Sequence, residues 1–513
     1  MQHRLNPESK PLDHLATIGV DGDPALVLKD RTLTYADLRD RVARLAGWLT
    51  AQSLPAGARV ATWAAKGELT CLMPLAAARA GLVHVPINPL LKHTQVAHIL
   101  QDSGASALIG TQARLETLDG DPPLRKCAMF DELMVLRSLP AVCPLSEPSN
   151  ADTDDLAAIL YTSGSTGKPK GVMLSHANLW IGAVSVARYL QLKADDVTLC
   201  VLPFAFDYGQ NQLLSSWYVG ASAVPLDYLF PKDVFKACEK HGVTTLAAVP
   251  PLWHQLVEAS SSVSVTKTLR RITNSGGALT QSLIEKLRQT FPDTQIYPMY
   301  GLTEAFRSTY LPPELVATKP TSIGSAIPFA EILVVNTEGE PVDIGEEGEL
   351  VHCGPLVAQG YWNDPERTAH RFKTAPSHSQ YGGVAVWSGD RVVQDRDGHL
   401  HFVGRHDAMI KSAGNRISPH EIEDAARQTG LVGEAVALGI PNEMLGHAIH
   451  LFVTPMRATE TAARTNDIIQ LQGELAHILP NFMQPHQIYW RDTLPLNPNG
   501  KLDRAALAKD IGA

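Results

Sequence analysis

"DLAAILYTSGSTGKPKGVMLS", residues 155–175, joins an apolar strand to a second strand through a loop that cannot pack a core. The loop, Tyr161–Gly171, holds three glycines, two lysines, four small hydroxyl residues and no acid. Backbone N–H groups in a glycine-rich turn converge on phosphate oxygens. Ser163, Ser165 and Thr166 add hydroxyl donors, and Lys168 and Lys170 add positive charge. Taken alone, such a run is more often an exposed surface loop than a ligand site. A Walker A loop is excluded, because it requires G-x-x-x-x-G-K-[ST]. Here Thr162 stands at the first glycine position and Pro169 follows Lys168. The order strand–loop–strand also lacks the helix whose N-terminus a P-loop uses.

Outward from this loop, apolar runs bounded by Gly or Pro alternate with helical patterns. "LTYADLRDRVARLAGWL" (33–49) predicts a helix with Leu38, Val42, Leu45 and Leu49 on one face and Thr34 as N-cap. "GLVHVPINP", "TTLAAVPP", "RRITNSGG" and "TQIYPMYG" read as buried strands, and "HANLWIGAVSVARYL" as a helix. Strands alternating with helices predict an α/β fold of largely parallel sheets. After about residue 385 the pattern changes: "VAVWSGDRVVQDRDGHLHFVGRHD" alternates like a hairpin turning at "RDGH". "SPHEIEDAARQ" then predicts a helix with Ser418 as N-cap, Pro419 at its first position and Glu421 completing a capping box, followed by two strands and a final helix. The expected organisation is a large domain over 1–406 and a small α+β domain over 407–513.

The length of 513 residues exceeds one hydrophobic core, and 44 % apolar with 19 % charged residues describes a folded chain. A net charge of −9 argues against bulk binding to nucleic acid or anionic membrane. No apolar run is long enough to span a bilayer, and the N-terminus lacks a secretory signal pattern. The six cysteines are scattered without a C-x-x-C pair, which suits a reducing, cytoplasmic location.

"YTSGSTGKPKGVMLSHANL" resembles the phosphate-loop signature of the adenylate-forming superfamily, which contains acyl-CoA synthetases and the adenylation domains of peptide synthetases. Further family motifs follow in the family's order between about residues 33 and 504, so the resemblance covers nearly the whole chain. It implies that Thr162, Ser163, Gly164, Ser165, Thr166, Gly167 and Lys168 cradle the phosphates of ATP. "MYGLTE" (299–304) resembles the second nucleotide motif: Tyr300 would stack on adenine, Thr303 would bond the α-phosphate and Glu304 would hold Mg2+. Pro298 departs from the Asn that the peptide-synthetase branch often carries there. "NSGGAL" (274–279) resembles the adenine-lining segment, with Gly276, Gly277 and Ala278 against the base. In "WSGD" and "GRHD", Asp390 would accept from the ribose hydroxyls, Arg405 would contact ribose or phosphate, and Asp407 would be the hinge of the small domain. Lys501 of "LPLNPNGKLDR" resembles the family's catalytic lysine, which bridges the substrate carboxylate and the α-phosphate.

The implied chemistry is attack of a carboxylate on the α-phosphorus of ATP, then transfer of the acyl group to a thiol of CoA or of a carrier protein's phosphopantetheine. "LPFAFDYGQNQLL" (202–214) bears on the acid. CoA ligases of the family often carry His where Phe206 stands, whereas Phe-Asp is typical of amino-acid adenylation. Phe206 and Asp207 therefore suggest an amino acid whose ammonium pairs with Asp207; the competing reading makes Asp207 a helix cap. "FDYGQNQLL", "AVPPLW" and "MYGLTEAFRSTYLPPE" resemble AMP-forming acyl-CoA ligases of exosortase A systems and stand-alone amino acid–carrier protein ligases. The alternatives are a CoA ligase for an acid without an amino group, an inactive nucleotide-binding regulator, and, more weakly, a kinase or ATPase.

Overall fold

The computed structural model describes residues 7–118, 120, 124, 126–162, 169–260, 267–405, 409–455, 464–495 and 502–511. The expected α/β architecture is present, with a large N-terminal body built on two sheets and a smaller C-terminal one built on a third. The expected boundary at 406/407 lies outside the described residues.

In the seven-stranded sheet, Ala128–Asp131, Ala107–Gly110, Arg59–Trp63, Val83–Pro86 and Leu156–Thr162 run parallel. Lys170–Ser175 then pairs antiparallel to Leu156–Thr162, with Thr162 opposite Lys170. The strands on either side of the glycine-rich segment are thus antiparallel neighbours.

The larger sheet has two halves. Pro24–Val27, Ser222–Pro225, Val197–Cys200, Thr245–Ala248, Arg271–Asn274 and Gln295–Tyr300 are parallel. Their apolar runs are buried on both faces, as parallel strands require. Beyond Tyr300 the sheet continues antiparallel through Thr309–Tyr310, Ser322–Ala326, Leu400–Arg405, Val384–Gln394, Glu347–Cys353 and Glu331–Val335. The antiparallel portion therefore begins well before residue 385, because short strands in Gly- and Pro-rich sequence gave only a weak alternation signal.

Local expectations fare unevenly. Thr34 caps helix Tyr35–Ala51 and closes a capping box with Asp37. Ser418 does occupy the N-cap of helix Pro419–Gln428, but its side chain makes no capping bond. Glu421 is buried beside Gln95 of the large body and its Oε2 has no partner among the described residues, so the expected capping box is not closed. The C-terminal sheet joins Asn415–Ile417, Ile410–Ser412, Gly446–Pro455, Val432–Asn442 and Gln487–Trp490, and carries helix Arg464–Ile478 and the short Arg504–Asp510 where one final helix was expected. Its core centres on Ile417, Ile422, Leu451, Leu471 and Leu475. Among the described residues, no helix is long and apolar enough to cross a membrane.

Candidate active site

Parallel strands deliver backbone and side chains at their carboxyl ends, where α/β folds bind ligands. Here the ends of Leu156–Thr162, Val197–Cys200, Thr245–Ala248, Arg271–Asn274 and Gln295–Tyr300 open on one cavity of about 530 Å3. Thr162, Phe206, Asp207, Ser275, Gly276, Gly301, Thr303 and Glu304 line it. Hairpin residues Lys411, Gly414 and Arg416 of the C-terminal body close its other side.

Thr162 places a buried hydroxyl on the cavity with no partner among the described residues. Ser163, Gly164, Ser165, Thr166, Gly167 and Lys168 lie outside the described residues, as do Asp407 and Lys501. Gly276 has φ +80°, and a Cβ there would lie 3.3 Å from the Gly414 carbonyl oxygen. A larger residue at 276 would thus force apart the segments that meet there. A Cβ on Gly277 would lie 3.0 Å from Pro250 Cγ, and Ala278 is exposed and outside the cavity wall.

Glu304 follows the strand Gln295–Tyr300 and is buried in a cationic cluster. Lys170 Nζ donates to its Oε1 at 3.0 Å, and the Tyr361 hydroxyl donates to the same oxygen at 2.6 Å. Arg416 Nη1 approaches that oxygen to 4.0 Å from the C-terminal body. Burial alone would raise the Glu304 pKa, but Lys170, Arg371 and Arg416 hold it well below the usual carboxylate range. Burial pushes Lys170 down to about 8, against the pull of Glu304. Held in its charged form at the cavity wall, the carboxylate has the chemistry that a hard divalent cation shared with phosphate oxygens requires of a protein ligand.

Tyr300 and Asp390 are brought together: the Tyr300 hydroxyl donates to Asp390 Oδ2 between two non-adjacent strands of the large sheet. Neither lines the cavity, because the Lys411 ammonium lies 5.8 Å from the Tyr300 ring centroid and the hairpin covers that flank. Arg405 is paired with Asp390 through the backbone register, and its side chain lies outside the described residues.

On the opposite wall, helix Asp207–Tyr218 begins with Phe206 at the cap position, so Asp207 is the first helical residue and not the cap. Its Oδ1 accepts from the Thr303 hydroxyl at 3.1 Å, and Oδ2 lies 3.6 Å from Arg307 Nη2. Burial raises the Asp207 pKa, with Arg307 and Thr303 pulling it back. Arg307 is held there by an unusual turn. Phe306 has φ +60°, a conformation that costs a non-glycine residue about 1–3 kcal/mol. Its ring packs where a Cβ on Gly182 would lie 2.3 Å away. Arg307, Tyr361, Arg371 and Arg416 were not legible as site residues in the sequence. Arginines and a tyrosine in ordinary helix, turn and strand contexts carry no local mark of the carboxylates they meet in space.

Residues 16–362 match the model of the AMP-binding enzyme family, and residues 421–501 match that of the AMP-binding enzyme C-terminal domain. An L-proline–[L-prolyl-carrier protein] ligase of Pseudomonas fluorescens is 30 % identical over 500 residues, covering 95 % of this chain and 96 % of that protein. A feruloyl-CoA synthase of Amycolatopsis sp is 31 % identical over 483 residues, covering 94 % of each. The structure of o-succinylbenzoate CoA synthetase from Bacillus subtilis superposes with a TM-score of 0.84 at 25 % identity, over 98 % of each chain. The chain spans only 6 to 9 % of the length of three other relatives, gramicidin and tyrocidine synthases of Brevibacillus parabrevis. On the match of most of its length, with the matching C-terminal domain behind it, the chain belongs to the AMP-binding enzyme family.

Proposed function

We propose that this protein is an AMP-forming acid–thiol ligase whose acid is an amino acid. The carrying observation is the convergence of Thr162, Gly276, Thr303, Glu304 and Asp207 at the carboxyl ends of neighbouring strands on one cavity. In the first half-reaction a carboxylate oxygen of the acid bonds to the α-phosphorus of ATP, the bond from that phosphorus to the bridging oxygen breaks, and pyrophosphate leaves. In the second, a thiolate bonds to the acyl carbon, and AMP leaves with the carbon–oxygen bond electrons. The chain's own task is to position reactants and compensate charge, for which no protein nucleophile is needed.

The loop 163–168 and Thr162 would donate to the phosphates, and Gly276 and Gly277 would let the adenine approach the backbone; Tyr300 and Asp390, which lie behind the Lys411 hairpin here, would bind adenine and ribose once the C-terminal body swings away. Mg2+, held through Glu304, would neutralise phosphate charge as it develops. Lys501 would bridge the carboxylate and the α-phosphate. The thiol belongs to CoA or to a carrier protein. Gly414 and its neighbours, which close the cavity here, would face the thiol in the second half-reaction.

Asp207 supports the amino-acid reading: it is buried in the cavity wall, and its separation from Arg307 leaves room for a closer cationic donor. The second reading, an acid without an amino group, is favoured by the presence of Arg307 itself, which already balances the Asp207 charge. The test is ATP–pyrophosphate exchange over a panel of amino acids and plain carboxylic acids. Exchange with amino acids supports the proposal, and exchange only with acids lacking an amino group refutes the role given to Asp207. Exchange with none, in a protein that binds ATP, would support the regulator.

A further inference from the structure

Arg307 has no task in the scheme above, yet its side chain is only 3 % exposed. A guanidinium carries five N–H donors. Here Nη2 lies 3.6 Å from Asp207 Oδ2, Nη1 meets Ser275 Oγ at 3.5 Å, and Nε is buried with no partner among the described residues. Both polar contacts are longer than a charge-assisted hydrogen bond prefers. Its remaining support is the face of Tyr208, 4.5 Å below Cζ, and the hydroxyl of Tyr189. The group lines both the main cavity and a smaller one behind Tyr208. The turn at Phe306 that aims it there has a positive φ and is locked by the ring seated on Gly182. A strained backbone holding an under-satisfied buried cation against a cavity marks a ligand contact.

Charge balance identifies the ligand. Among the charged groups of the wall, Lys66 pairs with Asp227 and Arg416 approaches Glu304, while Asp207 and Arg307 face each other. An incoming ammonium that pairs with Asp207 leaves Arg307 uncompensated. The carboxylate that reacts cannot serve, because the acyl adenylate has consumed its charge. We propose that Arg307 is a specificity-determining residue that binds a second carboxylate, so that the acid activated here is an amino dicarboxylic acid. This rests on the amino-acid reading of the site.

The experiment is ATP–pyrophosphate exchange by the full chain and by Arg307→Met and Arg307→Lys. The panel is L-aspartate, L-glutamate, their amides, L-alanine, L-proline, succinate and glutarate. The expected result is highest kcat/KM with an amino diacid and a loss of about 100-fold for its amide, as for a buried ion pair with one member removed. In Arg307→Met the diacid loses about 100-fold, mainly through KM, while the amide changes by less than about threefold, and Arg307→Lys recovers part of the diacid rate. Unchanged binding of a fluorescent ATP analogue shows that the variants are folded. A neutral amino acid as best substrate overturns the proposal and leaves the amino-acid reading standing. So does an equal loss for every substrate in Arg307→Met. A diacid lacking an amino group as best substrate overturns that reading and the proposal with it.

Discussion

Replacing Glu421 with Gln should stabilise the protein at alkaline pH and leave it unchanged in acid. Glu421 sits in the first turn of helix Pro419–Gln428, 8 % exposed, facing Gln95 of the large body. Burial pushes its carboxyl from an ordinary 4.5 up to about 7, with only a small pull downward from Gln95. A raised folded-state pKa means that the folded form holds the proton more tightly. The associated stability is complete below about pH 4.5 and is lost as pH rises through about 7. At 1.36 kcal/mol per pH unit, the loss above pH 7 is about 3 kcal/mol. Glutamine matches the protonated acid in shape and cannot ionise, so Glu421→Gln keeps the contact and removes the penalty. Denaturant midpoints of both proteins, followed by tryptophan fluorescence at about pH 4.5 and about pH 8.5, measure it. The two should coincide in acid, and the variant should be the more stable in alkali. An equal difference at both pH values, or a less stable variant at high pH, would refute the reasoning. Because Glu421 meets Gln95 across the two bodies, the same substitution should also make their contact less pH-dependent.

Three further substitutions probe the site. Tyr300→Phe removes the donor to Asp390 and should raise the KM for ATP about tenfold, with the acid's KM nearly unchanged, in initial-rate kinetics. Glu304→Gln leaves Lys170, Arg371 and Arg416 around a neutral amide; it should abolish detectable exchange at all Mg2+ concentrations and destabilise the fold by about 3–5 kcal/mol, read from denaturant unfolding. Gly414→Ala puts a Cβ 2.7 Å from Val249 Cγ1 at φ +78°. It should slow thioester formation about tenfold or more while pyrophosphate exchange stays within about threefold, as measured on separated half-reactions.

What the sequence made legible followed from local physics. Buried parallel strands announce themselves as apolar runs ending at Gly or Pro, and Thr34 is the N-cap its position predicts, with a box to Asp37 that the structure adds. Phe206, Asp207, Gly276, Thr303 and Glu304 came instead from the resemblance to a family's motifs, and they meet in one cavity. Glu421 shows where such reasoning stops: its spacing from Ser418 suits a capping box, but the residue is buried beside Gln95 of the other body and the box is not closed. Arg307 and Arg416 were silent for a related reason. Their significance is the carboxylates at 3.6 Å and 4.0 Å, which lie 100 and 112 positions away in the chain.

Product analysis with ATP labelled at the α-phosphate, with and without the acid, tests the central claim most directly. The account requires that label appear in acyl adenylate and AMP, together in equal amount to pyrophosphate, and only when the acid is present. Label recovered as ADP, with inorganic phosphate released, would contradict it.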